Sequence, residues 1–394
     1  DVEFFYRLSP YNIVRIINGK KMPDDDQQDN RYSRARAVFE RWLAEKVLER
    51  SERPAMYVYE QVFTVDGRKR SQRGIVAAMR LEPFGQGHVL PHEKTFPKAS
   101  EDRYRLIKAT RANFGQIFTI YPDQDRKIAR ILEKAVQAGE LAGFDDKDGV
   151  THRIYRIDDA ADTAALAGLM KEKTVYIADG HHRYSQAVRY MQEMNSKHPD
   201  SPPDALFNFR MVTFVNMDDV TILPVHRLIS GIDQDVEDIK HRLEEHFELV
   251  EHGVSDVDAM VEEMHEQKHA FGLYCKRSNK CYTIRLKDEG LIREIDGSHC
   301  NAWKRLDVNI IHQLFVERIL DIKEDIQDHI IFSKDHVREI VSPGYSKDFQ
   351  IAVFMNPVSV SELRDIANEH ERMPQKSTYF YPKLFSGLVM SPLE

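Results

Sequence analysis

The 394-residue chain carries 56 Lys and Arg against 64 Asp and Glu, a formal charge of −8, which argues against a general nucleic-acid binder. Its 42% hydrophobic and 30% charged residues are those of a globular protein able to bury a sizeable core. No apolar run approaches the roughly 18 residues that a membrane helix needs, so no membrane partner is expected.

The first residue is Asp1, not Met, and no signal-peptide pattern follows it. Cys275, Cys281 and Cys300 form no Cys-x-x-Cys pair, which suggests a reducing compartment and a cytoplasmic location. Cys275 and Cys281 flank a turn at Arg277-Ser278-Asn279 and could face each other across two strands.

Taken in order, the chain opens with Ser9-Pro10-Tyr11-Asn12 and an apolar run, Ile13–Ile17. The acidic loop Asp24–Asp26 reads as a solvated run ahead of a helix starting near Ser33. Met56–Val65 and Gly74–Met79 read as a hairpin turning on Asp66-Gly67. Gly85-Gln86-Gly87 lacks the third glycine and the following helix of a dinucleotide fingerprint. His92-Glu93-Lys94-Thr95-Phe96 has no second histidine where a zinc-protease motif needs one. Its His92 and Thr95, with Arg103 beyond them, suit an anionic ligand, and Glu93 could accept a proton.

Ile117–Tyr121 and His152–Ile157 are expected strands. The helices expected around them are Asp123–Ala138, stopped by Gly139, and Asp158–Met170. Ser201-Pro202-Pro203 sits in a polar loop and marks the expected boundary between domains 1–200 and 201–394. In the second half we expect strands at Phe207–Val215, Val220–Val225, Ala270–Cys275, Cys281–Arg285 and Gln350–Phe354. Helices are expected at Val236–His246, Val257–Gln267, Leu306–Leu320 and Ser359–Glu369. His226-Arg227 reads as an ordinary strand end. The tail, with Lys376, Ser377, Thr378 and Lys383, is an aromatic-rich loop or a set of donors reaching an anion.

The most chemically loaded stretch is Val175–Ala187. A β-branched and aromatic run ends in Asp179-Gly180; His181, His182 and Arg183 follow, and then a segment with helical spacing from Ser185 to Met194. A strand turning on glycine into a helix collects free backbone N–H groups and the positive end of a dipole at one point. Three readings fit it. His181 and His182 could bind a metal with Asp179, although adjacent residues diverge on a helix. The Gly180–Arg183 amides and the Arg183 side chain could cradle a phosphate, with Asp179 taking a proton or a metal and a histidine assisting. Or Asp179 caps the helix and the histidines satisfy buried partners.

Asp-Gly-His-His-Arg after a strand resembles the motif of the ParB, sulfiredoxin and free-serine-kinase superfamily, which binds nucleotide phosphates and, in the kinases, phosphorylates free serine. A longer set of pieces resembles the domain of unknown function 1015 family. These are Ser9–Asn12, His92–Thr95 with Asp102-Arg103, Ile177–Tyr184, Leu306-Asp307-Val308, Met373–Lys383 and Ser386-Gly387-Leu388. That family's usual Pro-Pro-Tyr-Asp type start would lie ahead of Asp1.

The resemblances imply an α+β fold: mixed sheets with a ParB/sulfiredoxin-like strand–turn–helix phosphate-binding element, and a second α/β region. Asp179 would be base or metal partner, His181 and Arg183 would contact phosphate, His182 could do either, and Glu93 is the candidate for the kinases' glutamate. Gly180, His92, Thr95, Arg103, Lys376, Ser377, Thr378 and Lys383 complete the expected phosphate-binding set. The expectation is therefore a phosphoryl-transfer enzyme for a small polar metabolite, serine-kinase-like, using Mg2+ and a nucleotide or pyrophosphate. A phosphohydrolase acting on phosphoserine through the same residues is the alternative. A non-catalytic nucleotide-sensing or partner-binding protein is the alternative from another class.

Overall fold

The computed structural model describes residues 2–93, 97–295, 297–323 and 326–394. The fold is α+β. The chain forms two compact units, one of Asp1–Pro91, Thr95–Val220 and Pro382–Glu394, the other of His92–Lys94 and Thr221–Tyr381.

The first unit includes the strands β1 Met56–Val65, β2 Arg68–Arg80, β3 Val89–Pro91, β4 Ala112–Asn113, β5 Ile117–Tyr121, β6 Ala142–Asp145, β7 Thr151–Ile157, β8 Val175–Asp179 and β9 Phe209–Asn216. Eight of them make one sheet in the order β3-β8-β5-β9-β2-β1-β7-β6. β3 runs parallel to β8 and β5 parallel to β9, while the other pairs are antiparallel. The β1–β2 hairpin closes at Val65 opposite Arg68, with Asp66 and Gly67 both at positive φ, the backbone a two-residue turn requires.

Side chains alternate across this sheet with period two. Val58, Ile75, Val212 and Ile177 face one core, where Ile107, Leu132, Leu166 and Tyr184 arrive from the helices Pro97–Thr110, Lys127–Ala138, Ala160–Met170 and His181–Lys197. Their neighbours Tyr59, Val76, Ile154 and Met211 point the other way and pack against Leu384, Leu388 and Val389. The C-terminal segment is thereby fixed on the face away from the helices, and Ser391-Pro392 pairs with β4.

The second unit has β10 Thr221–Leu223, β11 His226–Ile229, β12 Phe247–Gly253, β13 Ala270–Cys275, β14 Lys280–Leu286, β15 Ile330–Ser333, β16 Ile351–Phe354 and β17 Tyr379–Tyr381. Six form an antiparallel sheet, β12-β14-β13-β16-β11-β15, and β10 pairs with β17. Cys275 lies opposite Lys280, and Cys281 opposite Tyr274. This one-residue offset turns the two thiols to opposite faces, and both are free.

Three sequence expectations need correction. The helix expected over Leu306–Leu320 is α-helical only at Asp307–Ile310 and then widens into a π-helix, Ile311–Ile319. Ile311, Leu314, Phe315, Val316 and Ile319 are buried along it. The strand expected over Val220–Val225 stops at Leu223, before Pro224, because proline has no N–H to donate. His226 and Arg227 do not end that strand; they open β11, an inner strand between β15 and β16.

His226 is 4% exposed, and its Nδ1 accepts a hydrogen bond from the Met355 N–H (3.1 Å), which a neutral ring can do. Burial, with the Arg227 charge adding, lowers its pKa to about 3. The unfolded ring titrates near its ordinary value, so unfolding takes up a proton between about pH 6.5 and pH 3. Stability should therefore fall as pH drops through that window. His226→Asn, which keeps an acceptor without a titration, should flatten the fall in a plot of melting temperature against pH.

Candidate active site

The strand–turn–helix element forms as its sequence suggests. β8 carries the apolar run Val175–Ala178 into the sheet between β3 and β5 and ends at Asp179. Gly180 then takes φ +97°, and the helix begins at His181, four residues earlier than its apolar spacing indicates. A Cβ on Gly180 would stand 3.0 Å from Arg183 Nη2 and 3.1 Å from Ile117 Cδ1. Gly180→Ala should therefore cost about 1–3 kcal/mol, read by urea denaturation, and push Arg183 out of place. Tyr184 N is bonded to Gly180 O (2.9 Å), which leaves His181, His182 and Arg183 in the helix's first turn, where backbone N–H groups have no acceptor within the helix.

Arg183 crosses back over this turn. Its Nη2 donates to Asp179 Oδ2 (2.7 Å) and its Nη1 to the Gln116 carbonyl (2.6 Å). Lys383, from the segment that returns to this unit, donates to Asp179 Oδ1 (3.1 Å). Burial opposes ionisation of Asp179, but the charges of Lys383 and then Arg183 outweigh it and hold the carboxyl below the usual carboxylate range. His181 is buried in the first turn and His182 is half-buried.

Arg210 of β9 also belongs to this group, although nothing in its apolar strand Phe207–Val215 marks it. It is 6% exposed and donates from Nη2 to the Gly115 carbonyl (2.8 Å), next to the Gln116 carbonyl that holds Arg183. Its Nε has no partner, and among the described residues no carboxylate pairs with it. Burial, with the Arg183 charge adding, lowers its pKa to about 9, so it is still a cation at neutral pH. Gly115 lets these groups approach, since a Cβ there would lie 3.0 Å from Ser386 Oγ and 3.3 Å from Arg183 Nη1.

Lys383 and Arg183 thus meet on Asp179 near the positive end of a helix, with Arg210 beside Arg183. A cation at a helix N-terminus is unfavourable, and a desolvated guanidinium without a counter-ion costs several kcal/mol. Both costs are relieved by an anion with several oxygens.

Asp179 meets cations on both sides in this arrangement. Both of its oxygens accept from cations, and among the described residues no group of three or more His, Cys, Asp or Glu side chains could hold an ion. Metal-ligand readings for Asp179, including Mg2+, therefore find no protein-built site here.

Arg103, on Pro97–Thr110, donates to the Ile17 carbonyl (3.0 Å) and lies 2.9 Å from Asp102. Thr95 lies outside the described residues. His92, Glu93, Lys376, Ser377 and Thr378 come together within the second unit. His92 Nε2 and Thr378 Oγ1 are 3.0 Å apart, Lys376 N donates to Glu93 Oε1 (3.0 Å), and Ser377 Oγ donates to the Pro374 carbonyl (2.6 Å). Lys376 is held at φ +59°, and its carbonyl accepts from Arg227 Nη2 (3.4 Å). Arg227 is 4% exposed, and burial lowers its pKa to about 10.

An α+β protein with a cationic strand–glycine–helix turn is the class these features define. The chain belongs to the family described as "Protein of unknown function (DUF1015)", whose model matches residues 2–309. No curated protein matches it.

Among solved structures, a free serine kinase variant in complex with AMP is similar at 14% identity, covering 77% of this chain and 86% of its own, with a TM-score of 0.36. A conserved hypothetical protein from Pyrococcus furiosus is similar at 13% identity over 81% and 95% of the two chains, with a TM-score of 0.35. SbnI with a C-terminal truncation, from Staphylococcus aureus, is similar at 10% identity over 81% and 87%, also with a TM-score of 0.35. No helix among the described residues is long and apolar enough to cross a membrane.

Proposed function

We propose that the first unit binds a phosphate group at the turn after β8 and that the protein transfers a phosphoryl group to or from a small polar metabolite. The observation that carries this reading is the meeting of Lys383 and Arg183 on Asp179 at one helix N-terminus, with the buried Arg210 beside Arg183. Phosphoryl transfer needs positioning and charge neutralisation more than covalent chemistry, and this set supplies both.

In this reading the Arg183 and Lys383 side chains and the first-turn amides hold phosphate oxygens. Asp179, acidic and doubly paired, is a poor proton acceptor at neutral pH and acts by aligning the two cations. The proton-handling role then falls to His181 or His182. The serine-type hydroxyl acceptor and the nucleotide or pyrophosphate donor are what the Asp179–Arg183 motif's resemblance to free serine kinases suggests.

Phosphorus NMR tests this directly, with serine plus ATP, ADP or pyrophosphate in one set and phosphoserine alone in another. A phosphoserine signal growing at the expense of the donor is the expected result. Inorganic phosphate released from phosphoserine without a donor would make the same site a phosphohydrolase. Neither turnover nor any perturbation of the phosphate resonances by the protein would end the reading.

A further inference from the structure

The sheet of the first unit has a second polar hollow, at the end away from Asp179. β5 runs antiparallel to β8 with Phe118 opposite Asp179, so its other end, Tyr121, lies on the far side of the sheet. There the parallel pair β5 and β9 ends side by side, Tyr121 next to Asn216. Outside these two carboxyl ends is a cavity of about 330 Å³, large enough for a small metabolite.

Its wall has a consistent donor and acceptor pattern. Asn216 is 4% exposed; its Oδ1 accepts from the Asp123 N–H (3.1 Å), and its Nδ2 has no partner. The guanidinium groups that line the hollow are tied down from one side only. Arg126 gives both its bonds from Nη1 to Asp219, and Arg73 uses Nε on Glu60 and Nη1 on Glu133, so each keeps an Nη2 to offer. With the Tyr121 hydroxyl, the spare capacity on this wall is donor-rich.

Three carboxylates stand among these donors: Glu133 and Asp219 are paired with Arg73 and Arg126, and Asp123 is paired with neither. Asp123 is 4% exposed and spends Oδ2 on the Ile128 N–H (3.1 Å), while Lys173 comes no nearer to Oδ1 than 4.0 Å. A carboxylate oxygen with hydrogen-bonding capacity left therefore faces a group of donors in one small cavity.

We propose that this hollow binds a free α-amino acid. The ligand carboxylate takes hydrogen bonds from Asn216 Nδ2, the Tyr121 hydroxyl and the arginines, and the ammonium group binds Asp123 Oδ1. Two arginines and three carboxylates line the hollow, so its wall already carries a small excess of negative charge; a zwitterion adds none, whereas a phosphorylated metabolite would add more. The site is independent of the phosphate reading at Asp179.

The test is calorimetric titration of the full chain with each of the common amino acids, followed by analogues of the tightest binder that lack either the ammonium or the carboxylate group. At least one amino acid should bind saturably in the millimolar range or tighter, while the matching hydroxy acid and amine should not. Asn216→Asp keeps the acceptor for Asp123 N and replaces the donor with a negative oxygen, so it should weaken binding at least about tenfold. Tyr121→Phe, which removes a single hydroxyl, should weaken it severalfold and decides the matter if Asn216→Asp does not fold. Asp179→Asn should leave this binding intact. Binding that survives both cavity variants, or is lost only in Asp179→Asn, would overturn the proposal, as would binding of the hydroxy acid at equal strength or of no amino acid at all.

Discussion

Asp179→Asn should lower phosphoryl turnover on the order of 10²–10³-fold while leaving the fold intact. The amide preserves shape, and one oxygen can still accept from Arg183 or from Lys383, but its NH2 face then meets the other cation. The carboxylate's charge also disappears from a point where it holds two cations in place. Initial-rate kinetics should show the loss in kcat, with a smaller change in KM, because the guanidinium and ammonium remain present but misaligned. Full activity in Asp179→Asn would remove this residue from the mechanism. An unchanged pH–rate profile in the remaining activity would point to a histidine as the titrating group.

Arg210→Met should act in two opposite directions. The guanidinium is 6% exposed and has no carboxylate partner among the described residues, so methionine of similar length removes a desolvated charge and fills the same space. The ligand-free protein should gain about 1–3 kcal/mol, a few degrees in melting temperature, against about 1 kcal/mol for the lost bond to the Gly115 carbonyl. Phosphate or nucleotide binding, measured by titration calorimetry, should weaken on the order of 100-fold. A variant that is less stable and binds phosphate unchanged would make Arg210 a purely structural residue. Stability gained together with affinity lost is the mark of a charge kept for its ligand.

Much of this arrangement was legible in the residues. The β-branched run before Asp179-Gly180 and the cationic cluster after it announce a strand, a glycine turn and a helix, because each choice is local. Lys383 was legible as a donor for the same anion as Arg183; its bond to Asp179 was not, since nothing local says which side chain a tail lysine will meet. Arg210 stayed hidden for a different reason. Within an apolar strand a single arginine looks like a solvent-facing position, but Arg210 shares the face of Val212, which the helices cover. The first turn of the helix was also misplaced, because His181–Arg183 have no apolar residue to signal the helical period. The π-helix escaped because its period lies outside the helical pattern used to find it, and β11 escaped because its two leading residues are polar. In the last two cases long-range packing overrides a local preference.

The return of Pro382–Glu394 to the first unit sets the order in which a growing chain can become competent. Asp179 and Arg183 emerge early, but Lys383 and the residues packed on Tyr59 and Met211 follow only after the whole of Thr221–Tyr381 has been made. At about 5–20 residues per second, those roughly 160 residues take on the order of 8–30 s. During that interval one face of the sheet waits uncovered and the acidic turn has one cation where it will have two. Translation that stalls in the second unit therefore leaves a first unit without the ammonium group on Asp179 and without the cover over Tyr59 and Met211.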